Sequence, residues 1–258
     1  MNRLNSFTRI NLESVSTSKG NQQKWFDGKY WYKSNFMGYE NVAEVVVSIL
    51  CSCIQNLDYV KYDLYEQDCC VSKDFLGDNE FISFNKILRS FGVSSAKFNK
   101  LAPVRRLQSI MNLDSLVPKD KILEYLNKIF YLDALVLNED RHLNNLGFIK
   151  TPNGEFGICP VFDNGLSLLS DIRDYPFRVN LIDNILSVKS KPLSNDFEVQ
   201  IRLIKNYYDC KPLIIDINNF YKSIDNYDFS NYEKELERCL DVLDYTFNKW
   251  EGDLWVQK

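Results

Sequence analysis

The residues best suited to chemistry lie in the segment 131–169, YLDALVLNEDRHLNNLGFIKTPNGEFGICPVFDNGLSLL. An apolar stretch there ends in a polar cluster containing Asp140, His142 and Asn145, and a second carboxylate, Asp163, follows a short hairpin-like run. A carboxylate such as Asp140 can orient a hydroxyl and receive its proton. Asn145 and Asp163 supply hard oxygen ligands of the kind that hold Mg²⁺ against phosphates. Together they form the equipment of phosphoryl transfer, with Asp140 as base and Asn145 and Asp163 as metal ligands. Taken singly, Asp and Asn are common turn and cap residues; the combination is what points to chemistry. The one histidine, His142, has no second histidine with which to share a metal. It is either a loop residue hydrogen-bonded to backbone or a nucleotide contact.

These residues need elements to position them. A helical pattern over 120–137 delivers the polar loop. LGFIK and EFGIC flank Pro152, Asn153 and Gly154 and read as a β-hairpin whose fold-back brings Asp163 beside Asn145. Upstream, TRINLES, QKWF, KYWYKS, VKYDLYE and DCCVSK are short runs rich in β-branched or aromatic residues, read as strands, with a hairpin turn at Asp27-Gly28. Within this region 41–56, NVAEVVVSILCSCIQN, has β-branched content, but its length and near-continuous apolarity predict a buried helix. Further helical patterns occupy about 83–91, 196–209 and 231–250. Strands first, then helices, predict an α+β protein.

At 258 residues and 45% hydrophobic content the chain can bury a substantial core, as one domain or two packed lobes. Its net charge of −4 gives no broad cationic field for a phosphate backbone, so nucleic-acid binding is not expected. Seven cysteines cannot all pair within one chain, and neither Cys51-Ser52-Cys53 nor the Cys69-Cys70 doublet has zinc-site spacing, so they read as reduced, buried thiols. No segment has the length of a signal peptide core or of a membrane span, which predicts a cytoplasmic protein, with delivery as an effector left open. The aromatic-rich stretch 221–255 reads as helix packing rather than a base-stacking platform, because its aromatics fall largely at helical spacing.

NEDRHLNNLGFI followed by PVFDNG resembles the signature of HipA-like serine/threonine kinases, especially their compact members, with Asp163-Asn164-Gly165 where a protein kinase has Asp-Phe-Gly. The resemblance is specific over 131–169, fair over 16–75 and weak after about 175. It implies a bilobed protein-kinase-like fold, with a small β-rich N-lobe carrying one helix over 1–73 and a larger, mainly helical C-lobe over 74–258. It further implies ATP as donor, Mg²⁺ as cofactor and a protein substrate. A strand lysine paired to a helix glutamate should steady the phosphates. Lys33 is the best lysine, because Lys29 lies at the turn, and Glu44, inside the helix, is favoured over Glu40 at its start. The segment SVSTSKGNQQKW would cover the phosphates, with Gly20 admitting backbone N–H groups and Ser18 and Lys24 in reach, although one glycine in a polar hairpin is equally a plain turn. A strand-to-helix switch near Ser72, Lys73, Asp74 and Phe75 resembles the hinge that receives adenine through backbone hydrogen bonds.

Set against larger HipA proteins, the sequence is expected to be without their extra amino-terminal subdomain, and its glycine loop is sparse. No Ala-Pro-Glu segment is present. Rival readings are a small-molecule or lipid kinase and a nucleotide-binding pseudokinase scaffold. A lipid kinase would be expected to show a basic or apolar membrane-facing patch, and none is evident; a pseudokinase usually loses the lysine, base or metal Asp, all present here. Bacterial toxin or effector activity, a regulatory partner protein, and autophosphorylation at Ser14, Ser16, Thr17 or Ser18 are compatible with the family, but nothing in the residues selects among them.

Overall fold

A computed structural model describes residues 22–258. Gly20, the four candidate phosphorylation sites and the strand expected at 8–14 therefore lie outside the described residues.

Lys24–Phe26 (β1) and Tyr30–Ser34 (β2) form an antiparallel hairpin across Asp27-Gly28, where Gly28 takes a φ of 96° and the Asp27 carboxylate accepts the N–H groups of Lys29 and Tyr30 at 2.8 and 2.7 Å. Tyr62–Leu64 (β3) and Cys69–Lys73 (β4) complete a sheet of order β1-β2-β4-β3. Alternation gives each face its own task. Trp25, Tyr32 and Cys69 cluster on one face. Lys24 and Lys33, which are direct cross-strand partners, share the other.

The helix expected at 41–56 is Glu40–Ser52 (α1). Val42, Val45, Val46, Val47 and Leu50 are fully buried, and a helix apolar on nearly every side is stable only when packed all round. The Glu40 carboxylate accepts the N–H groups of Phe36, Met37 and Gly38 at 3.0, 2.6 and 2.9 Å, closing the entry loop where the helix dipole also favours an anion.

The second part of the molecule is built on Lys119–Val136 (α5), which packs against Pro103–Met111 (α4), Phe197–Lys205 (α7) and Glu233–Trp250 (α9). Each fully buried Leu or Ile along α5, such as Ile122, Leu126, Leu132 and Leu135, contributes roughly 1.5–3 kcal/mol by leaving water. The aromatic carboxyl end joins this core, with Phe247 against both Phe220 and Trp255. Phe84–Ser90 (α2), Ser95–Lys100 (α3), Leu181–Ser187 (α6) and Ile217–Asp225 (α8) are shorter, and Leu213–Ile215 (β8) pairs in parallel with Trp255–Gln257 (β9).

The expected hairpin is Gly147–Lys150 (β6) and Phe156–Ile158 (β7), with Gly154 at a φ of 87° in the turn. It is joined by a strand absent from the sequence reading, Glu80–Ser83 (β5), which pairs with β6. This corrects the expected strand-to-helix switch at 72–75: after β4 the chain makes a turn and adds β5 before α2 begins at Phe84. Gly147 permits the pairing, because a Cβ there would sit 2.4 Å from the Ile82 carbonyl oxygen. All seven cysteines are free; six are buried and Cys210 is half-buried. Among the described residues no helix is long and apolar enough to cross a membrane.

Candidate active site

The loop bearing Asp140 is tied down from below. Helix α5 ends with Leu137 in the left-handed region (φ 52°), and the Asn138 side chain accepts the Asp140 N–H at 2.9 Å. Arg141, fully buried, donates through Nε and Nη2 to the Asp133 carboxylate of α5 at 3.0–3.2 Å, through Nη1 to the Phe162 carbonyl at 2.7 Å, and also to the Asn164 side chain. One planar guanidinium thus fastens the Asp140 loop, the α5 helix and the segment around Asp163 to one another, a task that needs its forked donors.

Lys33 lies at the centre of a second cluster. Its Nζ is 2.6 Å from Glu44 Oε1, 2.6 Å from Asp163 Oδ1 and 3.2 Å from the Tyr62 hydroxyl, and lies 4.7 Å from the centre of the Tyr62 ring. Lys24, its cross-strand partner, reaches Asp163 Oδ2 at 3.5 Å. Glu44 is fully buried, and its Oε2 accepts the Asn164 N–H at 2.9 Å, so the same carboxylate holds both the lysine and the chain just after Asp163. Asp163 itself adopts a left-handed φ of 58°. Two positions on, Gly165 lets α1 approach closely: an added Cβ would lie 3.2 Å from Glu40 Cβ and 3.5 Å from Glu44 Cγ.

The charges in this cluster depend on one another. Burial alone would push the Asp163 carboxyl up, but Lys24 and Lys33 outweigh it and hold that carboxyl far below the usual carboxylate range. Burial likewise disfavours charge on Lys33, yet Asp163 and Glu44 outweigh it and keep its pKa well above the ordinary lysine value. A buried set of this kind is costly to disrupt by removing one member, on the order of 3–5 kcal/mol.

Asp140 presents Oδ1 to Lys191 Nζ at 2.7 Å, while its Oδ2 lies 3.7 Å from His142 Nε2. Neither ring nitrogen of His142 has a hydrogen-bond partner among the described residues, so the backbone-bonded alternative for this histidine is not the one adopted. The Asn145 side-chain N–H group donates to the Asp140 carbonyl at 3.2 Å, which leaves its amide oxygen as the end able to take a cation. An amide oxygen and a carboxylate form a hard donor set suited to a divalent ion such as Mg²⁺.

The structure therefore gathers Lys24, Lys33, Glu44 and Asp163 in one cluster and Asp140, His142 and Asn145 in its neighbour, joined by Arg141. The residues of the expected hinge sit apart from both. Lys73 is exposed, pairs with Tyr30, and by strand alternation faces away from Lys33. The Asp74 carboxylate accepts from Trp31 Nε1 of β2 and from the Gly77 N–H of its own turn, at 3.1 Å each. Phe75 contributes an aromatic face 5.6 Å from the Phe162 ring, which also meets Phe81 at 5.2 Å. Sequence reasoning did not single out Arg141, Tyr62, Phe162 or Lys191. Arg141 alone carried a signal, as the neighbour of Asp140 in the motif.

No family model matches the chain. The curated serine/threonine-protein kinase CtkA of Helicobacter pylori is 33% identical over 116 residues, 45% of this chain but only 30% of that protein. The crystal structure of the H. pylori proinflammatory kinase CtkA superposes with a TM-score of 0.65 at 17% identity, covering 90% of this chain and 89% of that one. HipA of Shewanella oneidensis, solved with HipB and operator DNA, gives a TM-score of 0.51 at 13% identity, covering 95% of this chain and 69% of that one. At these identities the structures establish the architecture: a bilobed, kinase-like α+β fold. In motif, in curated relative and in fold, the chain resembles the HipA-like serine/threonine kinases.

Proposed function

We propose that the chain is an ATP- and Mg²⁺-dependent protein serine/threonine kinase of the HipA-like type, with its lobes divided between residues 73 and 74. The observation that carries this reading is the ion cluster of Lys33, Glu44 and Asp163 beside a loop presenting Asp140 and Asn145. Lys33, steadied by Glu44, holds the donor phosphates, and Lys24 adds a second ammonium on the same sheet face. Phe75, Phe81 and Phe162 offer aromatic surface for a base, with backbone of the segment after β4 supplying hydrogen bonds. Asn145 and Asp163 would hold Mg²⁺, which supplies neutralisation of phosphate charge. Asp140 orients the acceptor hydroxyl and takes its proton.

The acceptor is a Ser or Thr hydroxyl on a protein, the chain itself included, and a regulatory partner fits the same reading: the HipA structure contains HipB. The purified chain, incubated with γ-labelled ATP and Mg²⁺ beside Asp140→Ala, tests it. Label on the chain or on an added protein, lost in the variant, is the expected result. Label confined to a small molecule would redirect the assignment to another acceptor, and equal labelling by both proteins would remove Asp140 from its role.

A further inference from the structure

Phosphoryl transfer to a hydroxyl requires positive charge on the group in flight as well as on the phosphates left behind. The described residues offer few cations for that place. Lys24 and Lys33 both sit on Asp163. Arg141, adjacent to Asp140 in sequence, is fully buried and uses Nε, Nη1 and Nη2 on Asp133, Phe162 and Asn164.

One ammonium does reach Asp140 itself. Lys191 comes from the loop after α6, 51 positions along the chain, and places Nζ 2.7 Å from Asp140 Oδ1 with its side chain 31% exposed. The loop that carries it is fixed. The Ser190 N–H donates to the Asn195 carbonyl at 3.2 Å and the Ser190 hydroxyl to the Ser194 carbonyl at 2.9 Å. Arg106 Nη1 donates to the Pro192 and Leu193 carbonyls at 3.1 and 3.3 Å, and the Leu193 N–H donates to Gln200 Oε1 at 2.8 Å. Leu193 is itself fully buried. A fixed loop thus carries a partly exposed ammonium directed at the carboxylate where an acceptor hydroxyl must arrive.

Resting on the kinase reading above, we propose that Lys191 is a catalytic residue that binds the γ-phosphoryl group of ATP beside Asp140. In the transfer step the acceptor oxygen bonds to the γ-phosphorus. The bond from that phosphorus to the β,γ-bridging oxygen breaks, its electron pair leaving with ADP, and the hydroxyl proton passes to Asp140. The Lys191 ammonium neutralises charge on the non-bridging oxygens of the group in transit. Because the loop is held by backbone groups, Arg106 and Gln200, truncating the Lys191 side chain leaves those bonds in place.

The test uses the full chain, Lys191→Ala and Lys191→Arg, and measures two quantities with Mg²⁺ present: the transfer rate at saturating ATP and the ratio of ATP to ADP affinity. In Lys191→Ala the rate should fall about 10²-fold. Preference for ATP over ADP should fall about tenfold, the scale of one charge-assisted hydrogen bond, with ADP affinity unchanged. Lys191→Arg should keep the preference and recover part of the rate. An unchanged affinity ratio in Lys191→Ala overturns the proposal, even with a lowered rate, since the lysine would then only position Asp140. If the wild-type chain transfers no phosphoryl group, the kinase reading fails, while the affinity ratio still decides the lysine's phosphate contact.

Discussion

Glu44→Gln separates the two tasks of one buried carboxylate. In the native chain Glu44 is fully buried, with Oε1 on the Lys33 ammonium at 2.6 Å and Oε2 on the Asn164 N–H at 2.9 Å. Glutamine keeps the shape but offers a single oxygen, so its amide N–H₂ must face either the ammonium or the Asn164 N–H, donor against donor. Leaving one buried hydrogen bond unmade costs roughly 1–3 kcal/mol, and breaking a buried ion pair roughly 3–5 kcal/mol. Lys33 retains Asp163 at 2.6 Å, so the cost falls at the lower end of the second range, about 3 kcal/mol. Urea unfolding at neutral pH measures it as a lowered midpoint with an unchanged slope. A double-mutant cycle with Lys33→Met isolates the pair, and the coupling should reach about 2 kcal/mol. Additivity of the two single changes to within about 0.5 kcal/mol would refute the claim that Lys33 and Glu44 act as a unit.

Other sites give independent checks. Arg141→Lys should be nearly as destabilising as Arg141→Ala, about 3–5 kcal/mol in urea unfolding, because one ammonium cannot bond Asp133, Phe162 and Asn164 together; full stability in the lysine variant would contradict this. Gly147→Ala should cost about 1–3 kcal/mol and weaken amide-exchange protection in β5, since its Cβ meets the Ile82 carbonyl oxygen at 2.4 Å. Asp27 has its pKa lowered chiefly by the Tyr30 N–H; burial opposes this, and the Lys29 N–H and the Tyr32 hydroxyl add to the lowering. Its contribution is therefore fully present above the unfolded carboxyl pKa of about 3.9 and is lost as pH falls through the lower folded value. The stability gap between wild type and Asp27→Asn should accordingly be nearly constant from about pH 5 to 7, roughly one to three units above that pKa, and narrow below about pH 4; a gap independent of pH would remove this role.

How much of this was readable in advance depended on how local each feature is. The Asp140 loop and the Asp163 segment were legible because their residues are close in sequence and the intervening hairpin has ordinary turn chemistry. The helix containing Glu44 was legible despite its valines, because burial on nearly every side outweighs β-propensity. Its boundary was less so, the helix ending at Ser52 where the pattern ran on to 56. Strand β5 was not, since four residues, EFIS, carry no period of their own and become a strand only by pairing with β6, far along the chain. Helices α3, α4, α6 and α8 span only six to nine residues, shorter than the window over which a helical period separates from chance. Lys191 sits in no motif, and only the folded chain brings it to Asp140.

The most direct test of the central claim is the rate of phosphoryl transfer from ATP by wild type and Asp163→Asn as Mg²⁺ is titrated, with folding of both confirmed by their unfolding curves. The account predicts a wild-type rate that rises with Mg²⁺ and a variant that is folded yet nearly inactive at every concentration. Equal turnover by a folded Asp163→Asn, with the same response to Mg²⁺, would contradict it.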